Sequence, residues 1–141
     1  MPHFNLSHSH ELALYAFSSN QELGIDVEFV RPIAEAKQIA ERFFSAEENS
    51  ILRNLAPPEL HKHFFIYWTR KEAYLKARGV GLAQIDTVPT SDQQAIVPGM
   101  HENTRKAAQW ILHDIVPAPS YVGALATQEC NIRMVCWQWM P

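Results

Sequence analysis

The stretch "ELHKHFFIYWTRKEAYLKARG", residues 59–79, most constrains what this chain folds into. It runs without glycine or proline until Gly79, and Pro57 and Pro58 stand immediately before it. Prolines are tolerated in a first helical turn, and glycine suits the position just past a last one. Lys71, Lys76 and Arg78 lie toward the end, where the helix dipole favours cations. The stretch therefore predicts the longest helix of the chain, and the rest has to pack around it.

Strand-like runs lie on either side. "ALYAFS" (13–18) and "GIDVEF" (24–29) come before the helix. "QWILHDIV" (109–116), "SYVGALAT" (120–127) and "RMVCWQW" (133–139) come after it, and residues 89–106 are polar and turn-prone. In the last run, Trp137 and Trp139 alternate with Cys136 and Gln138, as on one face of a final strand. Between the first strands and the long helix, Ile33, Ala36, Ala40 and Phe43 recur at helical spacing. "SAEE" from Ser45 to Glu48 then has the form of a capping box opening a short helix. Strands, then helices, then strands predict one α+β domain over 1–141 with a mostly antiparallel sheet.

Two acids stand out. Asp26 and Glu28 are two apart in a strand whose other residues, Leu23, Ile25 and Val27, are apolar. Residues i and i+2 share a face, so two like charges sit side by side. On the long helix, Trp68, Glu72 and Lys76 share one side. Glu72 and Lys76 by themselves also fit an ordinary surface ion pair. If that side packs beside Asp26 and Glu28, three carboxylates converge and repel unless a cation lies among them. Mg²⁺ is the natural candidate, because it prefers hard oxygen ligands and leaves positions for water and phosphate.

"NLSHS", "GIDVE", "FFSAEE" and "WTRKEAYLKARGVGL" occur in that order. Together they resemble the signature of the 4'-phosphopantetheinyl transferases. The similarity is to the longer, synthase-activating type, with G-x-D-x-E followed by W-x-x-K-E-A-x-x-K-x-x-G-x-G-L. It runs from about Phe4 to Leu82 and continues more loosely through the "YVGALA" strand. The resemblance implies that fold, as one half-unit with a mostly antiparallel sheet packed against a long helix. It also implies an enzyme that moves the phosphopantetheine arm of coenzyme A onto a serine of an acyl or peptidyl carrier protein, releasing adenosine 3',5'-bisphosphate.

By the same resemblance, Asp26, Glu28 and Glu72 ligate Mg²⁺ and Lys76 contacts the phosphates of coenzyme A. Ser7 and His8 meet the nucleotide end. Glu48 matches a family glutamate, and two readings of it stand. It serves as general base, or it satisfies helix-start amides as a capping-box residue; Glu72 or a metal-bound water is the alternative base. Arg53, Lys62, Arg70, Lys71 and Arg78 form either a basic surface for acidic carriers or a solvated face. The alternative function is a non-catalytic coenzyme A or carrier-protein binding module that keeps the fold.

The similarity begins almost at Met1, so the first half that precedes "NLSHS" in the longer type is expected to be missing. In length the chain is nearer the short holo-acyl-carrier-protein synthase type, a homo-oligomer, although that type has no Glu at the position of Glu28. An apolar face covered by self-association is then expected, along with weakened coenzyme A binding. Charge gives no reason to expect nucleic acid: the net charge is −3 and the pI about 6.1. No apolar run suggests a membrane span or secretion signal. Two cysteines in no common zinc pattern fit a reduced cytoplasmic protein.

Overall fold

A computed structural model describes residues 1–81, 96–100, 107–129 and 132–139. Its elements are β1 (His3–Ser9), β2 (Leu12–Ser18), β3 (Gly24–Phe29), α1 (Ala36–Phe43), α2 (Ala46–Arg53), α3 (Pro57–Arg78), β4 (Ile96–Met100), β5 (Ala107–Ile115) and β6 (Tyr121–Thr127). β1 and β2 form a hairpin, and the other strands form an antiparallel sheet in the order β3-β6-β5-β4. The expected α+β half-unit, an antiparallel sheet against one long helix, is what the chain forms.

The ends of α3 follow their local chemistry. Pro57 opens it, and Gly79 closes it at φ 67°, a left-handed conformation that costs glycine little. α2 opens with the full capping box: the Ser45 side chain accepts from the Glu48 amide, and the Glu48 carboxylate accepts from the Ser45 amide.

α3 covers one face of the sheet. Ala73, Tyr74, Leu75 and Ala77 pack with Trp110, Leu112, Ala124 and Ala126. Burying each large apolar side chain contributes about 2 kcal/mol. On the same face, Gly24, Asp26 and Glu28 of β3 stand opposite Ala126, Ala124 and Val122 of β6. Gly24 is the point of closest approach: a Cβ there would overlap the Ala73 carbonyl oxygen and lie 2.5 Å from the Ala77 nitrogen. The other face of β3 and β6 presents Ile25 and Leu125, which join Leu23, Leu14 and Ala16 beneath the hairpin.

Two expectations are corrected. Residues 133–139 form no strand; Trp137 and Trp139 are 89% and 84% exposed. Strand propensity depends on context and does not by itself pair a segment into a sheet. Conversely, the turn-prone 89–106 interval contains β4, paired with β5. Its Pro98 is tolerated because β4 is at the edge of the sheet. The remainder of that interval lies outside the described residues.

Candidate active site

The site forms where α3 crosses β3. Close approach of Ala73 and Ala77 to Gly24 brings their neighbours on α3, Glu72 and Lys76, beside Asp26. Asp26 is buried, and the charges acting on it are Lys76, Glu28 and Glu72. Burial is the largest influence and pushes its carboxyl up to about 7; Lys76 pulls it down, Glu28 and Glu72 raise it, and a hydrogen bond from Ser7 lowers it. Glu72, half-buried, is also raised, first by burial and then by Glu28, against the opposing pull of Lys76. Burial lowers Lys76, while Asp26 and Glu72 oppose that shift.

Lys76 donates from Nζ to the Leu6 carbonyl oxygen at 2.6 Å and to that of Ile25 at 2.5 Å. Its ammonium therefore ties hairpin to sheet beside the acids. Glu28 carries its own counter-charge: Arg31 Nη1 lies 3.2 Å from Oε2 and also donates to the Phe29 carbonyl oxygen.

The structure thus brings together Asp26, Glu28, Glu72 and Lys76, with Ser7 at their edge. Asp26 Oδ2 is buried and has no hydrogen-bond partner. A buried carboxylate oxygen with nothing to pair with costs stability unless a cation or proton meets it. The donors are all hard carboxylate oxygens, the type Mg²⁺ selects, so the residues fit that ion chemically. Among the described residues, however, no group of three or more His, Cys, Asp or Glu side chains is placed so that it could hold a metal ion. The three acids share a place and a field, with Lys76 and Arg31 supplying the positive charge.

Other expected site residues lie differently. Ser7 is buried, and its hydroxyl is used twice inside the protein: it donates to Asp26 Oδ1 at 3.1 Å and accepts from the Val27 amide at 3.1 Å. His8, on the opposite side of β1, is exposed. Glu48 is fully buried, engaged in the capping box and paired with the equally buried Lys71 at 3.1 Å. Lys71 also lies over the Phe44 ring. Nor is Arg70 on a basic surface: it is buried and forms a forked pair with Asp114, Nε to Oδ1 at 2.7 Å and Nη2 to Oδ2 at 2.5 Å. Of the five expected basic residues, Arg53 and Lys62 are exposed, and Arg78 is half-buried against Tyr74.

Sequence reasoning missed Ser9 and Arg31, which both hold Glu28 Oε2. The signal for Ser9 was present as the period-two pattern Asn5, Ser7, Ser9. Small polar residues alternating in a strand read as a solvent face, and here they face β3.

Comparison with known proteins gives the chain its relatives. A profile of the 4'-phosphopantetheinyl transferase superfamily matches residues 22–126. The chain is similar to the 4'-phosphopantetheinyl transferase HetI of Nostoc, with 41% identity over 136 residues, covering 96% of this chain and 56% of that protein. It is similar to the 4'-phosphopantetheinyl transferase Sfp of Bacillus subtilis, with 42% identity over 81 residues, 57% of this chain and 35% of that protein. The 4'-phosphopantetheinyl transferase AcpT of Escherichia coli is 36% identical over 88 residues, 62% of this chain and 45% of that protein. The chain spans about half the length, or less, of these curated relatives.

Proposed function

The chain belongs to the 4'-phosphopantetheinyl transferase superfamily, and from that membership we propose that it transfers the phosphopantetheine arm of coenzyme A to a serine of an acyl or peptidyl carrier protein, with Mg²⁺ held by Asp26, Glu28 and Glu72. The observation that carries this reading is the unpartnered, buried Oδ2 of Asp26, set among Glu28, Glu72 and Lys76. In an isolated sheet such an atom is a fault; beside a cation subsite it is a ligand in waiting. Bound there, Mg²⁺ supplies charge neutralisation at a diphosphate.

The chain's own residues do the rest. The carrier serine oxygen forms a bond to phosphorus, the diphosphate bond to the nucleotide breaks, and adenosine 3',5'-bisphosphate leaves. The serine proton has to go to a base in reach of solvent and substrate. Glu48 is enclosed and committed to Ser45 and Lys71, so this role falls to Glu72, the half-buried acid of α3 beside Asp26. Lys76, beside the acids, offers a point charge to the phosphates. Exposed His8 is available to the nucleotide end, whereas Ser7 serves the acids instead.

Partner surfaces belong to the same reading. Phe4, Leu6, Tyr15 and Phe17 are exposed on the outer side of the hairpin, with Phe4 opposite Phe17 and Leu6 opposite Tyr15. Such a contiguous apolar patch supports association, and a second copy of this chain is the occupant we assign. Light scattering that shows only monomer at micromolar concentration removes that assignment. No helix among the described residues is long and apolar enough to cross a membrane. A cytoplasmic location goes with the reading.

Mass spectrometry of apo carrier proteins incubated with the chain, coenzyme A and Mg²⁺ tests the activity. A phosphopantetheine mass gain on the carrier serine is expected. No gain with acyl or peptidyl carriers, alongside calorimetric coenzyme A binding, identifies a non-catalytic binding module instead.

A further inference from the structure

The hairpin joins the sheet through side chains. The Ile25, Val27 and Phe29 amides donate to Asn5 Oδ1 at 2.9 Å, Ser7 Oγ at 3.1 Å and Ser9 Oγ at 3.0 Å. Three side chains on alternate residues of β1 thus satisfy three alternate amides of β3. A period of two on each strand keeps the series in step.

Two of these three also reach a carboxylate. Ser7 Oγ donates to Asp26 Oδ1 at 3.1 Å and Ser9 Oγ donates to Glu28 Oε2 at 3.3 Å. The third, Asn5, serves the residue after Gly24, which has no side chain to hold. Each serine accepts from one amide and donates to the acid that precedes it. A hydroxyl has one hydrogen to give, and the amide fixes where the oxygen sits, so the donor direction is set. In both acids one oxygen is held and the other is left over: Asp26 Oδ2 is the buried unpartnered atom, and the bonds from Ser9 and Arg31 both fall on Oε2 of Glu28, not Oε1.

We infer that Ser9 is a positioning residue for Glu28, as Ser7 is for Asp26, and that this serine pair aims the remaining oxygen of each acid at one cation subsite. The inference rests on the proposed reading of Asp26, Glu28 and Glu72 as cation ligands. It makes cation affinity a property of hairpin docking, because the residues that orient the ligands come from β1 while the ligands come from β3.

The test uses Mn²⁺ alone, titrated into the full chain and followed by the paramagnetic resonance signal of the free ion. The native protein, Ser9→Ala and Ser9→Thr are compared, with thermal midpoints in chelator recorded for each. Ser9→Ala is expected to weaken Mn²⁺ binding about tenfold, the scale seen when a ligand's hydrogen-bond partner is removed. Ser9→Thr keeps the hydroxyl and is expected to restore binding to within about threefold of native. If alanine unfolds the strand, Ser9→Cys keeps the volume and surrenders most of the donor strength, and weakened binding is again expected. Native-like affinity in Ser9→Ala, or equal weakening in alanine and threonine variants, overturns the inference and leaves the cation site standing. A native chain that binds no Mn²⁺ overturns both.

Discussion

Replacing Asp26 with asparagine separates the two things this position does. In the metal-free protein an ionised Asp26 is a burden, because burial, Glu28 and Glu72 outweigh Lys76 and Ser7 and push its carboxyl from 3.8 to about 7. Between about pH 4 and pH 7 the folded chain holds a proton there that the unfolded chain has released. Stability of the metal-free protein therefore falls as pH rises through that window, by about 1.4 kcal/mol per pH unit, and levels off above it. The full span is on the order of 4 kcal/mol. The asparagine side chain does not titrate and escapes this loss, but it gives up attraction to Lys76 and leaves an amide donor where Oδ2 had no partner. A net gain of about 2 kcal/mol for Asp26→Asn at pH 8 in chelator is expected, shrinking or reversing toward pH 4.5. With saturating Mg²⁺ at pH 8 the order inverts, since only the native chain gains from the ion. Urea midpoints at the two pH values, with and without Mg²⁺, read this directly. An Asp26→Asn variant that is less stable than native by the same amount at pH 4.5 and pH 8 in chelator would show that Asp26 does not hold a proton in the folded chain.

Gly24→Ala places a methyl group against the Ala73 carbonyl and the Ala77 nitrogen, so α3 has to move off β3. A cost of about 3 kcal/mol or more in urea unfolding is expected, whereas Gly81→Ala, with nothing within 4 Å of its new Cβ, causes no comparable loss. Glu48→Ala leaves Lys71 charged in a fully buried place. It should cost about 3–5 kcal/mol in unfolding experiments while the folded fraction keeps native Mn²⁺ affinity; a stable variant that has lost only transfer activity would return Glu48 to the role of base. Glu72→Gln removes the acid proposed as base beside Asp26, so any transfer activity measured by carrier mass should fall at least about 100-fold.

Much of this was legible because its causes are local. Pro57, Pro58 and Gly79 mark α3; Ser45 and Glu48 mark α2; and the two-residue spacing of Asp26 and Glu28 puts them on one face in any strand. The facing of Glu72 and Lys76 toward them followed from helical spacing once the helix packed on β3. What stayed hidden depends on distant partners. Arg70 and Lys71 look like surface cations in the helix sequence, yet their counter-ions Asp114 and Glu48 lie on other elements, and only packing brings each pair together. The Asn5, Ser7, Ser9 pattern gives no sign that its acceptors face an edge strand. Trp137 and Trp139 show the opposite failure, with strand propensity but no strand formed.

The most direct measurement is a crystal structure grown with Mn²⁺ and coenzyme A, read by the anomalous signal of manganese. One peak is expected, coordinated by Asp26 Oδ2 and by carboxylate oxygens of Glu28 and Glu72, at about 2.0–2.2 Å, with the diphosphate on the same ion. Manganese bound elsewhere, with Asp26 Oδ2 still buried and unpartnered, would contradict the proposed ligand set.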